Sequence, residues 1–123
     1  MKLTLQTRCQ GDIVVIQCHG RIVYRDEAAT FSRVVREELR DRAKVVLDLG
    51  GVSEIDCAGI GEIAMLYRRA QSKRAELKYA QPQPFVRRHL DLTRLNTVIE
   101  IHPNLKDALN AFKVDFVGVF ADC

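Results

Sequence analysis

At 123 residues, 47% of them hydrophobic and 28% charged, the chain is the size of one domain with a real core, and that composition excludes a disordered chain or an internal flexible linker. Its net charge of +3 comes from 19 basic residues spread among 16 acidic ones, without the basic, aromatic-interleaved stripe of a nucleic-acid binder. No signal peptide, long apolar span or lipidation motif is present in the sequence, so no membrane insertion is expected and the chain reads as cytoplasmic.

The opening run, Lys2 to Gly20, has β-branched and apolar residues on both sides of Gln10-Gly11-Asp12, which predicts a hairpin. Next, Arg25 to Arg42 places Ala28, Phe31, Val35 and Leu39 on one helical face, with Asp26 and Glu27 at its start and Arg40 and Arg42 at its end. That spacing and charge order predict an amphipathic helix. The nearly continuous β-rich run Lys44 to Val52 suits a strand buried on both faces of a parallel sheet.

A second helix follows, in which Ile60, Ile63, Ala64, Tyr67 and Ala70 recur at helical spacing and Asp56 stands where a cap belongs. The densest basic run, Tyr67 to Ala75, falls at its C-terminal end, where cations complement the helix dipole. Ala75 to Ala80 reads as a strand, and Pro84 suits the first turn of a short helix carrying Phe85, Val86 and Leu90. Thr97 to Ile101 alternates as a strand. Finally, Asn104 caps a helix with Leu105, Ala108, Leu109 and Phe112 on one face.

The order is therefore ββαβαβαβα, an α/β layer fold with a mixed sheet and helical cover. Residues 1–112 form the domain. The tail 113–123 carries Phe116, Val117, Val119 and Phe120, and it is expected to be an extra strand, a docking segment, or a surface that pairs two copies as a homodimer.

Four cysteines, Cys9, Cys18, Cys57 and Cys123, form no CxxC pair and have no histidine at zinc-ligand spacing. Cys18 and His19 point to opposite faces of a strand. His19, His89 and His102 lie on different elements, and no Ser-His-Asp arrangement, phosphate loop or dinucleotide fingerprint is present. No catalytic residue, metal or cofactor is assigned, and an enzyme is not expected.

The run Val45 to Ile63, with the order of elements around it, resembles the STAS domain, the fold of bacterial anti-sigma factor antagonists and of the cytoplasmic domains of sulfate transporters. The likeness spans Leu3 to Phe112 and includes the late segment Arg87 to Leu109. It implies a STAS-like layered fold and a protein-interaction module whose partner is an anti-sigma factor or a related kinase-like protein. In that family a strand leads into Asp-Ser-Ser-Gly-Leu-Gly, whose second serine is phosphorylated by the kinase that it regulates. The matching residues here are Asp56-Cys57-Ala58-Gly59-Ile60-Gly61. Ala58 therefore stands at a degenerate phosphosite, without a hydroxyl, and Cys57 replaces the other serine. An aspartate expected before the first helix is also missing, with Val23 in its place.

Ser53, Asp56, Cys57, Ala58, Gly59, Ile60, Gly61 and Glu62 are the partner-binding candidates. Gly59 and Gly61 either admit a partner's backbone or relieve packing against the preceding strand. Cys57 is either a small residue in the serine's niche or a thiol activated at a helix N-terminus. Ser53, just before the motif, and Tyr24 remain as phosphate acceptors or else are ordinary loop residues, and either of them or Cys57 is open as a replacement for the missing switch. A second function class is a sensor that binds an anion or a nucleotide on the exposed N–H groups of the helix start.

Overall fold

A computed structural model describes residues 2–112 of the chain. Strand β1 (Thr4–Gln10) turns at Gly11, whose φ of +63° suits the first position of a tight hairpin turn, into β2 (Ile13–Ile22). Helix α1 (Tyr24–Asp41), β3 (Lys44–Ile55), α2 (Cys57–Ser72), β4 (Glu76–Ala80), α3 (Pro84–Leu92), a single 3-10 turn (Leu95–Thr97), β5 (Glu100–His102) and α4 (Leu105–Asn110) follow. The expected ββαβαβαβα order and α/β class are observed. The apolar tail 113–123, for which a strand or docking role is expected, lies outside the described residues.

The five strands lie in the order β1-β2-β3-β4-β5. The hairpin is antiparallel, and β2, β3, β4 and β5 pair in parallel. The sheet is thus mixed, with its hairpin at one edge. Side chains alternate across it and build two cores. One face carries Val14, Ile16, Val45, Leu47 and Tyr79 against α1, α2 and α3; the other carries Val15, Val46 and Ala80 against Ala108 and Phe112. Three helices cover one face and α4 covers part of the other.

Helix α1 buries Ala28, Phe31, Val35 and Leu39 as its periodicity predicts, and Ser32 beside them. In α2 the buried row is Gly59, Ile63, Leu66 and Ala70. Leu66 replaces the expected Ile60, Ala64 and Tyr67 at the centre of the contact, and those three are half-buried at its margin. A helix touches its sheet along one narrow stripe, so apolar residues a third of a turn away reach only the edge.

Two local expectations are corrected. Strand β3 runs twelve residues, to Ile55, because after a register shift at Gly50 the ladder with β2 resumes at Gly51, opposite His19, and continues to Ile55 opposite Ile22. The run expected as a strand from Thr97 begins instead with a 3-10 turn, and pairing covers Glu100–His102 alone. Phe85 is exposed and stacks on His89, with ring centroids 4.6 Å apart, while Val86 and Leu90 enter the core.

Beyond α3, β4 and β5 are tied by side chains as well as by backbone. The buried Lys78 ammonium lies 2.7 Å from Glu100 and 4.8 Å from the centroid of Phe112, and His102 reaches the same carboxylate at 2.6 Å. Burial opposes ionisation of Glu100, but its bonds to Lys78 and His102 win and hold its carboxyl below the usual range.

Candidate functional site

The candidate site is built where β3 hands the chain to α2. Ile55 is the last ladder residue and Asp56 is extended, the conformation that an N-cap requires. Its Oδ1 accepts from the Gly59 N–H at 3.1 Å. Its Oδ2 accepts from the Tyr24 N–H at 2.8 Å. One carboxylate therefore satisfies orphan donors at the starts of two helices, α2 directly and α1 across the paired ends of β2 and β3.

Burial alone would raise the Asp56 pKa. The N–H groups of Tyr24, Gly59 and Ala58 outweigh that effect and hold the carboxyl below its ordinary range. Tyr24 sits at φ +63° with its side chain exposed. A left-handed conformation at a bulky residue is strained, and the bond to Asp56 is what holds it. Val23, which stands where the resemblance leads one to expect an aspartate, is buried and caps α1 without a side-chain hydrogen bond.

Around this pivot the eight candidates divide. Cys57 and Gly61 are exposed, and Ala58, Ile60 and Glu62 are half-buried along the first turns of α2. Ser53 is exposed two residues before the strand ends, and its hydroxyl donates to the Gly20 carbonyl at 3.3 Å. These residues form one continuous turn on the surface. Gly59 is different: a Cβ there would lie 2.6 Å from the Ile22 carbonyl oxygen and 2.7 Å from Ile55 Cγ1. Its role is to let α2 close onto β2 and β3. At Gly61 a Cβ would meet open space.

Of the two described thiols that are free, Cys57 is exposed and Cys18 is buried. Burial and the nearby Asp48 charge push the Cys18 thiol up to about 12, so it behaves as a core residue. His19, His89 and His102 remain apart on β2, α3 and β5. Among the described residues, no three His, Cys, Asp or Glu side chains come together as a metal site, and no helix is long and apolar enough to cross a membrane.

Two features escaped the reading of the sequence. The Tyr24 N–H contact joins residues 32 apart, and no local signal marks it. Asp48, buried within a β-rich run, accepts from the Gly50 N–H and from Gln81 Nε2, both at 2.9 Å. A lone aspartate in a hydrophobic strand is the signal that called for such partners.

The model of the STAS domain matches residues 4–108. The chain belongs to the STAS domain family. Solved structures agree in fold. An anti-sigma factor antagonist from Mycobacterium paratuberculosis superposes with a TM-score of 0.81 at 22% identity, covering 89% of this chain and 93% of that one. A putative anti-sigma factor antagonist from Thermotoga maritima gives 0.75 at 23% identity, over 86% and 92% of the two chains. The Bacillus cell fate determinant SpoIIAA in its phosphorylated form gives 0.66 at 14% identity, over 87% and 97%. This STAS domain thus spans nearly the full length of these three solved chains, and its Asp56 to Gly61 segment occupies the start of α2.

Proposed function

We propose that this STAS domain is a non-catalytic interaction module that binds an anti-sigma factor or a related kinase-like protein through the turn from Ser53 to Glu62. The observation that carries the reading is the Asp56 carboxylate, which fixes the starts of α1 and α2 to each other and so presents the turn as a preorganised surface. Preorganisation lowers the ordering cost of docking. Ala58 lies half-buried on that surface without a hydroxyl. The module stays in the state equivalent to a dephosphorylated antagonist, and its engagement is not switched at this position.

The same carboxylate weighs against the alternative of an anion or nucleotide sensor on this helix start. Asp56 already engages the N–H groups of Gly59 and Ala58, and an incoming anion would meet its charge. The module reading also supplies a direct test. Phosphate, or a carboxylate standing in for it, adds negative charge and a desolvation cost to a docked surface. The wild-type chain and Ala58→Glu serve as paired baits in lysate of the source organism, with captured proteins quantified by mass spectrometry. A kinase-like partner retained by wild type and lost by Ala58→Glu is the expected result. Equal capture of the same proteins by both baits overturns the turn as the docking surface.

A further inference from the structure

The basic run at the end of α2 takes on a different meaning once α1 is packed beside it. Along α1, Ala29, Ser32 and Arg36 recur at i, i+3 and i+7, and along α2 Glu62, Met65, Arg69 and Ser72 do the same, so that the two rows face each other across a groove of about 620 Å³. The small side chains of Ala29 and Ser32 are what leave the groove open. Its floor is Leu66, fully buried, and its wall is Met65, a large apolar side chain left 60% exposed.

Arg36, Arg68 and Arg69 line the same groove from both helices. None of the three reaches a carboxylate among the described residues, whereas Arg33 on α1 is paired with Glu37 and Arg87 on α3 with Asp91. The helix dipole accounts for Arg69, which lies in the last turn of α2. It does not account for Arg36, in the second half of α1 but outside its last turn. Glu62 alone opposes them, so the groove carries a surplus of positive charge beside an apolar strip.

We propose that the α1–α2 groove is a second docking surface, which takes an acidic amphipathic segment of a partner protein with carboxylates on Arg36, Arg68 and Arg69 and an apolar side chain on Met65 and Leu66. The charge selects the sign of the partner, and the apolar floor with its volume selects a peptide over a single inorganic anion, which would fill only part of a space of this size. Nucleic acid is the weaker fit, because no aromatic side chain lines the groove and Glu62 stands in it. The surface adjoins the turn at the start of α2, with Glu62 common to both, and extends from there along the two helices.

The test is an NMR titration of the full, nitrogen-labelled chain with a synthetic Glu- and Leu-bearing amphipathic peptide of about four helical turns. The same peptide with every Glu replaced by Gln, and a short DNA duplex, are titrated in parallel. Saturable shifts at Ala29, Ser32, Met65, Leu66 and Ser72 are expected, with affinity reduced about tenfold or more for the Gln peptide and for the variant Arg36→Gln, Arg68→Gln, Arg69→Gln. These guanidiniums are exposed and pair with no carboxylate among the described residues, and Arg36 gives up only a bond to the Ser32 carbonyl within α1, so the variant keeps the folded amide dispersion away from the substituted positions; should it not, Arg36→Gln alone gives the same comparison. Ala58→Glu leaves this titration unchanged, which separates the two surfaces. No saturable shift, shifts that map elsewhere, equal binding of the Gln peptide or of the variant, or tighter binding of DNA than of the acidic peptide overturns the proposal.

Discussion

Asp56 links sequence to architecture through two bonds of 3.1 and 2.8 Å. Removing an N-cap carboxylate costs about 0.5–2 kcal/mol, and here the α1 start is released as well. Asp56→Ala is therefore expected near the upper end of that range, measured by urea unfolding at neutral pH. The pH dependence has a definite sign. The folded-state pKa lies below the ordinary 3.8, so the unfolded chain binds the proton more readily. The stabilisation is present above the unfolded value and is lost as pH falls through the folded one. The gap between wild type and Asp56→Ala should therefore narrow once the pH drops below about 4. A gap that stays constant down to strong acid would show that the carboxylate form is not what matters. The cap on α2 was legible in the sequence, since an aspartate before an apolar-periodic run has a local signature. The bond to Tyr24 was not, because it depends on how the end of β3 sits beside the end of β2.

Elements follow the same division. Helix α1 was legible almost to the residue, because its apolar face is separated from charge on every turn and tertiary contacts reinforce the local pattern. Helix α2 was less so: apolar residues flank its buried stripe on both sides, and only the docked sheet decides that Leu66 is central and Tyr67 marginal. The two glycines of its first turns were indistinguishable in sequence, yet the packing separates them. A methyl group at Gly59 would meet the Ile22 carbonyl oxygen at 2.6 Å, whereas at Gly61 it would meet nothing. Gly59→Ala should thus destabilise by about 1–3 kcal/mol through overpacking at a backbone atom that has no rotamer to move aside. Gly61→Ala should stabilise by about 0.5–1 kcal/mol, the ordinary gain of alanine over glycine inside a helix. Thermal unfolding of both variants checks the pair, and an equal effect of the two would contradict the packing of α2 onto β2.

For the molecule as a whole, the separation of binding from folding decides whether the functional reading can be tested at all. Ala58 is the second residue of α2, half-buried against the core. A glutamate there keeps the Cβ contact and extends the remaining side chain outward, and its charge falls in the first turn, where the helix carries no acidic residue. Negative charge at that end interacts favourably with the dipole by about 0.3–1 kcal/mol. The nearby Asp56 charge opposes part of that gain, because like charges repel. Ala58→Glu is therefore expected to unfold within about 0.5 kcal/mol of wild type, with an unchanged far-UV circular dichroism spectrum. Loss of a partner in that variant would then report on the surface of the turn and not on a damaged fold. A drop in stability of more than about 2 kcal/mol would place the residue 58 side chain deeper in the core than its half-burial implies. In that case the turn would have to be tested instead by charge at Cys57 or Gly61, which are exposed on the same surface.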